Sequence, residues 1–169
     1  MDKTENIDNG STPIGEKTAL VTIIGRPSAG KSTFLNTAAG EPVSIVSAIP
    51  QTTRNAIKGI VNTSFGQLVF IDTPGYHESD KKMNLRMRNI VSDQLTNADA
   101  ILYVIDSTRT CGDEEKLITN LLKGHESKIV IAINKIDESR AFPEHTRKFI
   151  SKELPDINTD RIINISAKE

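Results

Sequence analysis

The stretch Gly25-Arg26-Pro27-Ser28-Ala29-Gly30-Lys31-Ser32 satisfies G-x-x-x-x-G-K-[ST] and directly follows an apolar run, Ala19-Leu20-Val21-Thr22-Ile23-Ile24. No other part of the chain restricts its possible folds so tightly. The run predicts a buried strand ending at Gly25, the glycines predict a tight loop, and a helix opens at Ser32 with its unpaired N–H groups and positive dipole end facing an anion. Gly25 and Gly30 permit turns and a close backbone approach that a side chain would block. Ser28, Ala29, Gly30, Lys31, Ser32 and Thr33 are therefore the expected phosphate-contacting residues. The Lys31 ammonium would reach the β- and γ-phosphates of a nucleoside triphosphate, and the Ser32 hydroxyl would ligate Mg²⁺.

The rest of the pattern supports a sheet behind that loop. Residues 1–17 are rich in Asn, Asp, Glu, Gly, Ser and Thr, with Ile7 and Ile14 as the large apolar exceptions, so they read as a disordered tail ahead of one domain over 18–169. Phe34, Leu35 and Ala38 recur at helical spacing before a stop at Gly40. Glu41 to Asn55 has no sustained periodicity and reads as a long loop beside the phosphate site, a common place for function. Ala56–Val61 and Gln67–Ile71 read as a hairpin. From Lys82 to Ala98, Met83, Met87, Ile90, Val91 and Leu95 form one helical stripe, with the methionines as core filler. Then come a strand over Ala100–Ile105, a helix over Asp113–Lys123, a strand over Lys128–Ile133, a helix over Pro143–Leu154 and a strand over Arg161–Ile165. Such alternation predicts a three-layer α/β fold, with a mostly parallel sheet between helices and ligands at the carboxyl ends of the strands.

Composition narrows the class further. With 21 Lys and Arg against 22 Asp and Glu, the net charge of −1 gives no global pull toward nucleic acid or anionic membrane, so such a partner needs a local patch. The basic cluster Lys81, Lys82, Arg86 and Arg88 reads as a solvated helix face. No apolar run approaches the roughly 18 residues of a spanning helix, and the polar start lacks a signal peptide's apolar segment. A single cysteine, Cys111, excludes an internal disulfide. These features predict a cytoplasmic protein, with membrane association at most peripheral and no DNA partner. His77, His125 and His145 show no metal-ligand spacing.

Two further strings follow strands. Asp72-Thr73-Pro74-Gly75 puts a carboxylate beside the phosphate loop, where Asp72 would hold Mg²⁺ through water while the Gly75 N–H reaches the γ-phosphate. Asn134-Lys135-Ile136-Asp137 follows another apolar strand. A carboxylate only accepts hydrogen bonds, so Asp137 suits the N1–H and exocyclic amine of guanine and disfavours adenine. Asn134 would tie this loop to the phosphate loop, and the stem of Lys135 would cover one face of the base. Ser166-Ala167-Lys168, after the last strand, would set the Ala167 N–H against guanine O6. Together they select GTP and GDP as ligands, with Mg²⁺ as cofactor.

With these motifs in hand, the chain resembles the P-loop GTPases of the Era type, within the branch that also holds the Der and MnmE GTPases. Ile49-Pro50-Gln51-Thr52-Thr53-Arg54 is similar to the Era switch I signature, and the loop opens on Gly-Arg-Pro. The resemblance spans roughly Lys17 to Lys168. It implies a Ras-like G domain of six strands with the second antiparallel, and a role in small ribosomal subunit assembly through 16S rRNA. It also implies that Thr53, with Thr52 as the alternative, brings a hydroxyl to Mg²⁺ when GTP orders the loop. Lys31, Thr53 and Gly75 are then the expected catalytic groups. Era proteins continue into a final helix and a KH domain that grips single-stranded RNA. Here the chain stops at Glu169, so those parts are expected to be missing, and with them the RNA contact; a monomer is expected.

Hydrolysis of this kind rests on positioning and electrostatics. The place after Gly75 holds Tyr76, not the water-positioning glutamine of Ras-type GTPases, so turnover should be slow unaided. His77 is a candidate base, and Arg54 either an internal finger or a partner for a carboxylate. Ser28 stands where Era-like loops commonly carry an asparagine that helps hold K⁺, which implies weak K⁺ activation. The competing readings are a non-catalytic module that responds to GTP occupancy alone, or another Era-like GTPase such as the Der or MnmE type.

Overall fold

The computed structural model describes residues 17–40, 56–72 and 85–168. Thr52, Thr53, Arg54, Gly75, Tyr76 and His77 lie outside them, as do the expected tail and the side chain of Asp72. Strand β1 (Lys17–Ile24) leads through the phosphate loop into α1 (Lys31–Ala39), followed by β2 (Ala56–Thr63), β3 (Gly66–Asp72) and α2 (Leu85–Asn97). Then come β4 (Ala100–Asp106), α3 (Asp113–Leu122), β5 (Ile129–Asn134), α4 (Pro143–Glu153) and β6 (Ile162–Asn164), with short 3₁₀ turns at Glu126–Lys128 and Thr159–Arg161.

The sheet has six strands in the order β2-β3-β1-β4-β5-β6, and β2 runs antiparallel to β3 while the other pairs are parallel. Register sets where the loops emerge. Ile23 pairs with Asp72 and Leu102, and Asp106 with Asn134. The carboxyl ends of β1, β3, β4 and β5 therefore lie along one edge, where the Gly25 loop and the Asn134–Asp137 loop emerge. Several boundaries move from the sequence expectation by one to three residues, and the pairing explains two of them. β1 starts at Lys17, two residues before the apolar run, because Lys17 and Thr18 pair with Gly66 and Gln67 on β3. β6 shrinks to three residues, although Ile165 N still donates to Ile133 O at 2.8 Å.

Alternation along the strands builds two cores. Ile101, Tyr103 and Ile105 of β4 and Ile129, Ile131 and Ile133 of β5, all with no exposed surface, pack against Val91 and Leu95 of α2, Ile118 and Leu122 of α3, and Ile150 of α4 with Leu154 just after it. Each such side chain contributes about 1.5–3 kcal/mol by leaving water. The opposite face, Val21, Ile23, Phe70, Leu102 and Val104, packs on Leu35 of α1, with Phe34 meeting Phe70 edge-on at 6.3 Å. Three helices thus hold one face and, among the described residues, α1 holds the other. No helix among the described residues is long and apolar enough to cross a membrane.

Candidate nucleotide-binding site

The phosphate loop is shaped by contacts that leave no room for side chains. A Cβ at Gly25 would fall 2.3 Å from Val104 O, and one at Gly30 would fall 2.1 Å from Asn134 Nδ2. Gly30 also takes φ 101°, the left-handed cap position of α1, where it makes no side-chain cap and no acidic residue occupies the first turn. Helices leave their first N–H groups without intrahelical partners, and most recruit a capping side chain. Here no capping side chain serves that terminus among the described residues. α1 opens at Lys31, one residue earlier than expected, and Phe34 N already donates to Gly30 O at 2.8 Å. Ser32 and Thr33 stand exposed on this first turn, and Ala29 is buried beneath it. The Lys31 ammonium folds over the loop and donates to Gly25 O at 2.7 Å and Arg26 O at 2.9 Å.

Asn134 makes the three loops one unit. Its buried amide donates from Nδ2 to Ala29 O at 2.8 Å, while its Oδ1 accepts from Ala167 N at 2.9 Å. The link to the phosphate loop matches the sequence reading. The Ala167 amide differs: expected against guanine O6, its N–H is here spent on Asn134, because a buried amide oxygen requires a donor. Thr37 of α1 donates to Ala167 O at 2.6 Å, which fixes the last loop to the phosphate-loop helix. Lys168 lies 3.7 Å from Asp137 and 2.8 Å from Glu138, holding a cation beside both carboxylates. Ser166 Oγ is buried without a partner at the same place, an orphaned hydroxyl that a bound group would satisfy.

Two carboxylates that motif reading passed over support these loops. Lys135 takes φ 66° and sends its ammonium to Asp106 Oδ2 at 2.6 Å. Asp106 also accepts from Thr108 N at 2.9 Å and Thr108 Oγ1 at 2.6 Å. Burial pushes Asp106 up, but the hydrogen bonds from Lys135 and Thr108 outweigh it and hold its pKa below the ordinary value. On the phosphate side, Arg26 is 4% exposed, with Nε 2.6 Å from Glu115 Oε1 and Nη1 3.3 Å from Glu114 Oε2. Glu115 accepts in turn from the Tyr103 hydroxyl. Burial opposes the charge of Arg26, but Glu115 and Glu114 more than offset it and raise its pKa. Asp106 and Glu115 carry no motif; the only available signals were a polar residue ending an apolar strand and an arginine inside a phosphate loop.

Ser28 and Lys135 are the two described non-glycine residues with positive φ, at 62° and 66°. Left-handed backbone costs an L-residue roughly 1–2 kcal/mol. Both lie in loops of this site, where such strain tends to concentrate. Ser32 supplies a hydroxyl on the first turn of α1, and Asp72 ends β3 alongside Ile23. These are the hard oxygen donors that Mg²⁺ takes, so the residue chemistry suits that ion.

The family model for 50S ribosome-binding GTPases matches residues 20–135. GTPase Era of Treponema denticola is 60% identical over 148 residues, covering 88% of this chain and 50% of that protein. Among solved structures, an Aquifex aeolicus Era variant bound to GDP.AlF4- superposes with TM-score 0.64 at 33% identity over 90% of this chain and 52% of that one. Era in complex with MgGDPNP and nucleotides 1506-1542 of 16S ribosomal RNA superposes with TM-score 0.66 at 34% identity, covering 90% and 52%. The chain spans about half the length of the curated relatives it matches.

Proposed function

Because this chain belongs to the family of 50S ribosome-binding GTPases and carries an Era-type G domain, we propose that it binds GTP with Mg²⁺ and hydrolyses it to GDP as a timed switch. The observation that carries the reading is Asn134, whose one side chain joins the phosphate loop at Ala29 to the last loop at Ala167. Phosphate binding and base reading are thereby held in a single rigid arrangement, which is what positioning catalysis requires.

In this reading the uncapped first turn of α1 and the loop amides of Ser28 to Thr33 receive the β- and γ-phosphates. Lys31 exchanges the carbonyls of Gly25 and Arg26 for phosphate oxygens, adding charge where it develops during transfer. Ser32 and Thr53 would hold Mg²⁺, with Asp72 as a further ligand through water, and the ion would supply positive charge to the phosphates. The Gly75 amide meets the γ-phosphate. Asp137 accepts from guanine, Lys135 lies along the base, and Ser166 with Lys168 closes the base pocket. With Tyr76 after Gly75, turnover unaided is slow. Ser28 offers K⁺ a hydroxyl in place of a longer side-chain carbonyl, so K⁺ stimulates only at high concentration and Ser28→Asn lowers the K⁺ needed.

A protein of this kind works in the cytoplasm as a monomer. One matched Era structure holds 16S ribosomal RNA nucleotides, and we extend the switch to small-subunit assembly on that likeness. The test pairs phosphate release with base choice. Wild type should release phosphate from GTP and Lys31→Ala should not. Asp137→Asn should weaken GTP and gain xanthosine triphosphate, which presents a carbonyl where guanine presents an amine. GTP binding with no phosphate release would leave only a GTP-responsive module, and unchanged GTP affinity in Asp137→Asn would overturn the base assignment.

A further inference from the structure

A cavity of about 400 Å³ opens between the segment after β4 and one stripe of α4, and Thr108 on its wall donates to Asp106, the carboxylate that holds Lys135. Its wall includes Arg109, Phe142, His145, Lys148, Phe149 and Lys152, and no carboxylate lines it. His145, Lys148, Phe149 and Lys152 recur at the three- and four-residue steps that bring side chains onto one helix face. Arg109 joins them from the β4–α3 segment. Arg109, His145, Lys148 and Lys152 are all exposed, and none has a side-chain hydrogen bond or ion pair. This contrasts with Arg26, Lys135 and Lys168, each of which has a carboxylate within 3.3 Å.

Like charges one helical turn apart repel, and Lys148 and Lys152 stand in that relation with no ion pair to a carboxylate among the described residues, although Glu144 lies one turn before Lys148. In a chain of net charge −1, positive charge is here gathered on one cavity wall that no carboxylate lines. The second component is aromatic. Phe142 is 65% exposed at the mouth, and Phe149 is partly buried behind it. Cations beside an accessible aromatic face are the combination that single-stranded nucleic acids use, with phosphate on the charges and a base on the ring. An acidic peptide would meet the charges but make no use of the rings.

We propose that this cavity binds one nucleotide unit of single-stranded RNA, its base against Phe142 and its phosphates against Arg109, Lys148 and Lys152. The volume suits one nucleotide, and the open rim lets the strand continue in both directions. The linear sequence shows no basic stripe or stacking set because the wall is assembled from two segments 33 positions apart, Arg109 and Phe142.

The test uses the 169-residue chain saturated with GDP and Mg²⁺, so that the guanine site is filled. Fluorescence anisotropy with labelled decauridylate should report binding that weakens as KCl rises, with a log–log slope of roughly −2 for three phosphate contacts on a single strand. Lys148→Glu with Lys152→Glu should weaken it at least ten-fold and flatten that slope. Phe142→Ala should weaken it about ten-fold and leave the slope unchanged. Both changes are at exposed positions, and thermal melts check that the fold is intact. Free uridine monophosphate should compete poorly, because it offers a single phosphate. Absence of binding at low salt, or binding untouched by either variant, overturns the proposal. Equal competition by polyglutamate with no effect of Phe142→Ala overturns the nucleotide assignment, leaving an unselective anion patch. Competition by the monophosphate at the strength of the oligomer overturns the strand and assigns a free nucleotide.

Discussion

Asp106 and Glu115 are both buried, both sit 2.6 Å from a cation of a nucleotide-site loop, and yet titrate in opposite directions. Asp106 braces the base-reading loop through Lys135, and Glu115 braces the phosphate loop through Arg26. Asp106 lies at the tip of β4, where three donor groups converge on it and Lys135 keeps 27% of its side chain exposed. Glu115 has no exposed surface, and its Arg26 partner is 5% exposed. Burial pushes Glu115 up further than the Tyr103 hydroxyl and Arg26 bring it down, and Glu114 adds to the rise. Equal distance to a cation therefore does not set the outcome. The number of donors and the depth of burial do.

Removing the deeper carboxylate should have the largest effect. Glu115→Ala leaves the buried Arg26 guanidinium short of its nearest partner and should cost about 3–5 kcal/mol in a denaturant melt. A loss under about 1 kcal/mol would mean that Glu114 alone satisfies Arg26 and that the contrast is overstated. Asp106→Ala should cost less, about 1–3 kcal/mol, and should weaken guanine nucleotide binding by releasing Lys135. If nucleotide affinity is unchanged, the brace on the base loop has no functional part.

The pH dependence sharpens the comparison, because the two signs are opposed. Asp106 has a depressed pKa in the folded chain, so its stabilisation is present above the unfolded value of about 3.9 and is lost as pH falls through the folded value. Asp106→Asn should thus lose stability near neutrality and rejoin the wild type in acid. Glu115 has a raised pKa, so the folded chain holds its proton more tightly. Its contribution is complete below the unfolded value of about 4.3 and declines as pH rises through the folded one. Glu115→Gln should remove that decline. Melts of both variants across pH 3 to 7 would show slopes of opposite sign relative to wild type; slopes of the same sign would refute the assignment.

The smallest effect lies in the braced loops themselves. Ser28→Gly relieves a left-handed backbone and should stabilise by up to about 1 kcal/mol. Lys135→Gly relieves the same kind of strain but forfeits the Asp106 pair, and should destabilise on balance. Stabilisation by both changes would show that the Asp106 brace contributes nothing.

The sheet and its loops were legible because each depends on a local pattern. Apolar runs of strand length alternate with helical stripes, so the element order from β1 to β6 follows from periodicity, and glycine at 25 and 30 with Lys31 marks the turn between β1 and α1. Asn134 and Asp137 were recognisable because Asn134 ends a strand and Asp137 lies three residues beyond it, and a strand end in a parallel sheet is a known place. The guanine chemistry proposed for Asp137 follows from what a carboxylate accepts. Tertiary structure alone decided the rest. That Asp106 would meet Lys135 depends on β4 and β5 pairing at Asp106 and Asn134. That Arg26 would turn from the loop toward Glu115 depends on where α3 packs, which burial determines across 89 positions of sequence. The assignment of the Ala167 amide to Asn134, and the gathering of Arg109 with Lys148, Lys152 and Phe142 around one cavity, have the same origin. Local pattern records what a segment prefers, but a contact between distant segments is chosen by the packing of everything between them.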